Sequence, residues 1–576
     1  MILPEHAKKG AKALDAVEKK QNGVVYTPES LANYMVKKLF NTFIKDNGCY
    51  RILDPACGDG ELLEATARYA KKNGIEVKLF GFDTDAGALA IAKARLEQYD
   101  FKFKLSNTEF LEFCLNNVDF KVDGVIANPP YVRTQVLGGD ISKEIAKNFH
   151  LSGKIDLYQA FYAALPYVLS ENGGISVITS NKFIMNKTGA DLRKFLINNF
   201  HIDLLIDLGD TKLFDAAVLP AIVVGNKELT KHQSIIDFYR IYEATSGEKD
   251  ENFENVDNVY LALDSGQTGF LSTDTNKYHA TTGKVNIPEN PKDVWALATD
   301  EEYAWAINMK KCFGSVISDF GKVRVGIKTT ADNVFIKDSW EHVEPHPEDE
   351  LIHPLYSAKK SHRWFIEDED AKKLKKILYP MQVGEGRKKA NPINLEDYPK
   401  TAKYLAKHYE QLSGRSYVIN AGREWFEIWV PQDPKLWQSP KIIFPDISEI
   451  PKFMIDMNGM YVDGNCYWIV LDDDVPEDYL YLIAGVANSK AMQKFHSIMF
   501  QNKLYSNKLR FVSQYVEKYP VPDLSSTEAK IIVKTVKKLL IKELTVNEAE
   551  ELIEVEIMKI LDGKSEIHHA GQQSLF

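Results

Sequence analysis

Asn128-Pro129-Pro130-Tyr131 is the stretch whose residue types most directly suggest chemistry. It follows Val122-Asp123-Gly124-Val125-Ile126-Ala127, an apolar run that reads as a buried strand. In open α/β sheets, ligands bind beyond the carboxyl ends of the strands. Asn128 offers a side-chain carbonyl beside backbone carbonyls. Pro129 and Pro130 lack an N–H and stiffen the loop, so its acceptors can face a ligand amine. Tyr131 adds a flat face for a planar base. A polar turn leaving a strand would look the same in isolation, so the surrounding elements must decide.

Those elements supply a cradle. Arg51-Ile52-Leu53-Asp54-Pro55-Ala56-Cys57-Gly58-Asp59-Gly60 reads as strand then glycine turn, with a helix expected from Glu61 to Lys72. Gly58 and Gly60 allow close backbone approach to a ligand, and Asp54 and Asp59 flank it. Phosphate loops present N–H groups and a Lys, and Gly-x-Gly-x-x-Gly is absent. The acidic setting suits a ligand with a positive centre and no phosphates, which favours S-adenosylmethionine over NAD or ATP. A second strand, Val77 to Phe82, ends at Asp83, placed to take ribose hydroxyls or to cap the helix expected over 86–98. Asp85 lets those two duties be divided. A third strand, Phe101 to Leu105, leads to Glu109 and Phe110. Upstream, Thr27 and Pro28 form a helix-start signal, with Thr27 as the expected N-cap.

Beyond the tetrapeptide, Asp156 opens a helix to Ser170, and a fifth buried strand (Ile175 to Thr179) ends at Ser180-Asn181. A helix over 190–199 and strands over 202–208 and 221–224 follow. A hairpin-like excursion between those two strands carries Phe214. From about residue 225 the α/β alternation fades, and the Thr/Asn/Asp/Gly-rich span 267–291 reads as a linker or loop. A second module begins near Ile317, with a helix expected over 402–412, and amphipathic helices are expected over 526–561. The expected division is a catalytic domain over 1–240, a connecting region over 241–310, a recognition domain over 311–525 and a helical tail over 526–576.

The 576 residues, 44% hydrophobic and 26% charged, fit a soluble globular protein of more than one domain. The lysine-rich start and the absence of a long apolar run argue against a secretory signal or membrane span, so a cytoplasmic location is expected. Cys49, Cys57, Cys114, Cys312 and Cys466 have no zinc-ligand spacing, so reduced thiols and no metal are expected. A net charge of −10 argues only weakly against a nucleic-acid partner, because basic clusters recur along the chain.

Taken in order, the Gly-Val-Val-Tyr-Thr-Pro arm, the Asp-Pro-Ala-Cys-Gly-Asp-Gly cradle, Asp83, Asn-Pro-Pro-Tyr and Phe214 resemble the gamma-class, Taq-type N6-adenine DNA methyltransferases. The specific motifs cover 20 to about 225, and a looser likeness to the family's target-recognition domain covers 310–525. The resemblance implies a Rossmann-like α/β methyltransferase sheet, followed by a mixed α+β recognition domain and C-terminal helices. It implies that Tyr26 and Thr27 close the methionine end of S-adenosylmethionine, while Asp54, Ala56 and Gly58 line the cofactor and Asp83 holds its ribose. Phe110 would flank the cofactor adenine. Glu109 stands where the family usually has Asp, which puts its contact with the cofactor's amino group in doubt. Asn128 and the Pro129 carbonyl would bind the target amine, with Tyr131 and Phe214 on the target ring.

Base reading in the major groove would fall to the second module, with Lys328, Arg415, Lys441, Asn488, Lys490 and Lys508 as candidates. The expected partner is double-stranded DNA. A separate cognate endonuclease and a monomeric state are also expected. No nuclease domain is expected before the arm, where about 25 residues carry no Pro-Asp…Glu-x-Lys cluster. The competing readings are an RNA or protein-glutamine methyltransferase using the same tetrapeptide, and a non-catalytic DNA-binding subunit.

Overall fold

The computed structural model describes residues 27–43, 48–117, 119–131, 139–149, 156–211, 219–228, 233–244, 252–290, 292–384, 390–500 and 508–572. The chain divides into two compact units, Met1–Tyr303 and Ala304–Phe576.

In the first unit, helix α1 (Glu29–Asn41) turns Leu31, Met35, Val36 and Leu39 inward at helical spacing. Strand β1 (Cys49–Asp54) follows, then α2 (Glu61–Asn73), β2 (Glu76–Asp83), α3 (Ala86–Leu96), β3 (Lys102–Asn107), α4 (Phe110–Asn116) and β4 (Val122–Ala127). Gly60 starts α2 at φ +87°, and a Cβ there would lie 2.7 Å from the Cβ of Ala92. Only glycine satisfies both the left-handed backbone and the approach of α3. Next come α5 (Gly139–Asn148), α6 (Leu157–Val168), β5 (Leu169–Ser180), α7 (Ala190–Asn199), β6 (His201–Asp207) and β7 (Pro220–Asn226). Asp156 and Gln159 form the capping box that opens α6.

The sheet order is β3-β2-β1-β4-β5-β7-β6, continued by β8 (Ile235–Glu243), β11 (Lys277–Asn286), β10 (Gly269–Ser272) and β9 (Glu254–Asn255). Strands β1 to β6 run parallel, and β7 inserts antiparallel between β5 and β6. This is the Rossmann-like order expected. The chain leaves β1 to one side for β2 and returns on its other side as β4. A crevice therefore opens between the carboxyl ends of β1 and β4. One face of the sheet packs on α1, α2 and α3 through Leu31, Met35, Leu63 and Leu96. The other packs on α4, α6 and α7 through Phe110, Phe161, Tyr162 and Leu196.

The span 267–291, read from sequence as a linker, forms β10 and β11, which extend this sheet. Thr281 and Thr282 lie on β11, a half-exposed strand whose inward positions are Tyr278, Ala280 and Val285. The inward positions change phase between Ala280 and Val285, so no sustained period of two marks the strand, and its composition is that of a turn.

The second unit holds an antiparallel sheet ordered Gly321–Val325, Cys466–Leu471, Lys441–Pro445, Met454–Asp456. Trp437 stacks between Tyr461 and Trp468 at 4.8 and 4.7 Å. The helix expected over 402–412 is broken at His408 into Pro399–Lys407 and Tyr409–Ser413. Two helices close the chain, Thr527–Leu540, capped by Ser526, and Val546–Gln572. Among the described residues no helix is long and apolar enough to cross a membrane.

Candidate functional site

The parallel strands deliver a row of polar residues to one edge of the sheet. Asp54 ends β1, Asp83 ends β2, Asn128 follows β4, Asn181 follows β5 and Asp207 ends β6. Strand register explains the row, since Asp54 pairs with Gly81 and Asp83 with Asn107.

Asp54 is 1% exposed and accepts a hydrogen bond from the Ala56 N–H at 3.1 Å. Burial pushes its carboxyl up to about 8. The Cys57 N–H donates to the Phe82 carbonyl at 2.9 Å, tying the cradle to β2. The Gly58 N–H donates to one Asp83 oxygen and the Asp85 N–H to the other, each at 2.8 Å. Burial raises the Asp83 carboxyl, and those two N–H donors oppose the shift. Asp85 accepts from Gly87 and Ala88 and caps α3. Asp83 is thus not the helix cap. Asp59, placed beside the ligand from sequence, turns instead to Arg95 at 3.0 Å. Arg95 also pairs with Glu61 and Glu64, so this cluster links the cradle to α3.

Glu109 caps α4 by accepting from the Glu112 N–H at 2.7 Å. Phe110 packs within the core, 5.6 Å from Phe82 and 5.9 Å from Phe161. At the end of β4, Asn128 Nδ2 donates to Thr27 Oγ1 at 3.1 Å. Thr27 makes this contact rather than the expected cap; Pro28 holds the N-cap position of α1 with no side-chain bond. Pro129 is buried and Pro130 half-buried, and Tyr131 is half-buried against the core around α1, where burial raises its phenol. Tyr26 and Phe214 lie outside the described residues.

Sequence reasoning overlooked one buried network at this edge. Asp207 is fully buried and accepts from Asn181 Nδ2 at 3.0 Å, the Tyr242 hydroxyl at 2.8 Å and the Gly209 N–H at 3.2 Å. The available signal was its position, an acidic residue ending a buried strand as Asp54 and Asp83 do.

The residues at this edge fit S-adenosylmethionine. Carboxylates and carbonyls line the cradle. Acceptors of this kind match ribose hydroxyls, an amino group and a sulfonium, but not phosphates. Asp54, Ala56, Gly58 and Asp83 are the residues that would hold it.

Three of the base-reading candidates are instead part of the second unit's framework. Lys441 is 0% exposed, pairs with Asp456 at 2.8 Å and donates to the Trp437 carbonyl at 2.6 Å. Asn488 is buried and bridges the Phe453 N–H and carbonyl at 2.9 and 2.7 Å. Arg415 is buried and donates to the carbonyls of Leu412, Thr329 and Trp425. Groups so enclosed do not reach a base edge. Lys328, Lys490 and Lys508 are exposed.

Comparison with known proteins agrees with this architecture. Residues 70–214 match the Eco57I restriction-modification methylase family, and residues 391–521 match the TaqI-like C-terminal specificity domain. The chain is 41% identical over 547 residues to the Type II methyltransferase M.BanIII of Aneurinibacillus aneurinilyticus, covering 91% of this chain and 93% of that one. It is 24% identical to the Type II methyltransferase M.BstVI of Geobacillus stearothermophilus, over 88% and 91% of the two chains. A solved DrdV–DNA complex aligns with 92% of this chain and 58% of its own at a TM-score of 0.52 and 12% identity. The chain belongs to the Type II DNA methyltransferases of restriction–modification systems. Its methyl donor is S-adenosylmethionine.

Proposed function

We propose that the methylated atom is the N6 amine of an adenine swung out of duplex DNA. The observation that carries this reading is Asn128, held by Thr27 at the end of β4 and followed by two prolines and a tyrosine. The adenine amine is a weak nucleophile because its lone pair is delocalised into the ring. Asn128 Oδ1 and the Pro129 carbonyl each accept one of its N–H bonds and favour a pyramidal nitrogen. With Nδ2 turned to Thr27, Oδ1 is the end of the amide that meets the amine. The lone pair is then directed out of the ring plane, so positioning and fixed dipoles supply the catalysis. Bound in the cradle, S-adenosylmethionine supplies the electrophilic methyl.

Reaching the amine requires extruding the base, at a cost of a few kcal/mol. Stacking on aromatic faces returns about 1–3 kcal/mol per base. Tyr131 and Phe214 are the two faces assigned here. The exposed Lys328, Lys490 and Lys508 remain the candidates for DNA contact, and DNA affinity should fall as salt rises. The protein is taken to act as a monomer, alongside a separate cognate endonuclease.

Labelled S-adenosylmethionine and unmethylated duplex DNA test the reading. After digestion to nucleosides the label should elute with N6-methyl-2′-deoxyadenosine. Label in a methylated cytosine would overturn the target assignment, and no incorporation would overturn the activity.

A further inference from the structure

The stretch from Tyr409 to Val430 carries an array of partly exposed rings that the catalytic reading does not use. Tyr409 is 53% exposed and meets Trp425 edge-on at 4.9 Å. Tyr417 is 42% exposed and meets Trp429 at 5.1 Å and 82°. Ile419, also 42% exposed, adds apolar surface.

Two arginines make this array rigid. Buried Arg415 ties residues 412, 329 and 425 together through their carbonyls. Arg423 donates to the Trp429 carbonyl at 2.7 Å and lies over that ring at 4.8 Å. The backbone of Val430 pairs with Lys328 in both directions at 3.0 and 3.1 Å, which places the exposed Lys328 beside the rings. The arginines bond to protein carbonyls, and exposed Glu410 and Glu424 share the stretch. Phosphate is therefore a poor ligand here. What the array offers is preformed ring surface at little further cost in side-chain entropy.

We propose that Tyr409 and Tyr417, each backed edge-on by a tryptophan, form a stacking platform that packs against a base step of the DNA. The occupant follows from location, because the array lies within the TaqI-like specificity domain match, residues 391–521. Apolar wedges that unstack a step are an established way to hold bent DNA. The inference rests on the DNA-methylation reading above.

The test uses the full chain and a plasmid prepared without methylation, carrying the motif that single-molecule sequencing shows to be modified. Tyr409→Ser with Tyr417→Ser should raise the KM for DNA at least tenfold and weaken plasmid-fragment binding by anisotropy to the same extent. The KM for S-adenosylmethionine should stay within twofold. Tyr409→Phe with Tyr417→Phe should behave as wild type, because the rings and not the hydroxyls are used. An unchanged DNA affinity in the serine variant overturns the platform. So does a serine variant that only converts a sedimenting dimer to monomer, since the rings would then meet a second copy. A wild-type protein that transfers no methyl to DNA overturns the function instead, while anisotropy still reads the platform.

Discussion

In the first unit, the polar side chains singled out from the sequence stand at the carboxyl ends of parallel strands. Thr27 and Asn128 even touch across 101 positions of chain. In the second unit, residue type alone singles out Arg415, Lys441 and Asn488, and all three hold the framework together. The difference lies in what constrained each choice. A strand end in a parallel sheet fixes where a residue must be, whereas a long basic side chain in an irregular domain is free to serve the core or the surface.

Asn128→Ala tests the first half of this contrast and should have the largest effect. Losing a preorganised acceptor should lower methyl transfer by about 100-fold or more, with cofactor affinity, measured by calorimetry, within a few-fold of wild type. Normal turnover would reduce the tetrapeptide to a turn. Lys441→Met tests the second half. Breaking a buried ion pair should cost about 3–5 kcal/mol in denaturant unfolding, because Asp456 is left buried without its cation. A stable variant that binds DNA poorly would return Lys441 to the reading surface.

The alternation of strands and helices in the first sheet and most of the residues at the strand ends were legible because buried strands, glycine turns and helix-start signals follow one another through residue 208. The extension by β9 to β11 was not, since β9 and β10 are only two and four residues long and β11 carries a Thr-Thr-Gly run typical of loops. The Asp207 network was illegible for a different reason. Its partners Asn181 and Tyr242 come from separate strands, and only the fold brings them together. The roles of Lys441 and Arg415 depended likewise on which carbonyls and carboxylates the tertiary structure set beside them.

The buried carboxyl of Asp54 gives the sheet edge a pH signature of its own. Its value of about 8 lies above the ordinary 3.8, so between those limits the folded chain keeps a proton that the unfolded chain has lost. Its contribution to stability is greatest at low pH and declines as pH rises through that window. A cationic ligand beside it favours the ionised form. Cofactor affinity should therefore rise about tenfold from pH 7 to 9, and Asp54→Asn should flatten the profile. A wild-type profile already flat across that range would separate Asp54 from the cofactor.

Thr27→Val is the finest probe of the contrast, and its effect should be the smallest. Valine keeps the shape but removes the acceptor 3.1 Å from Asn128 Nδ2. A neutral hydrogen bond of this kind contributes about 0.5–1.5 kcal/mol, which corresponds to roughly two- to tenfold in rate. Because the bond fixes which way the amide points, the loss should appear in kcat for methyl transfer and leave the DNA KM in place. Thr27→Ser, which restores the oxygen, should recover the rate. If valine and serine are equally active, Thr27 acts only by filling space beside α1. A strand-end position would then predict where Asn128 sits without predicting what holds it there.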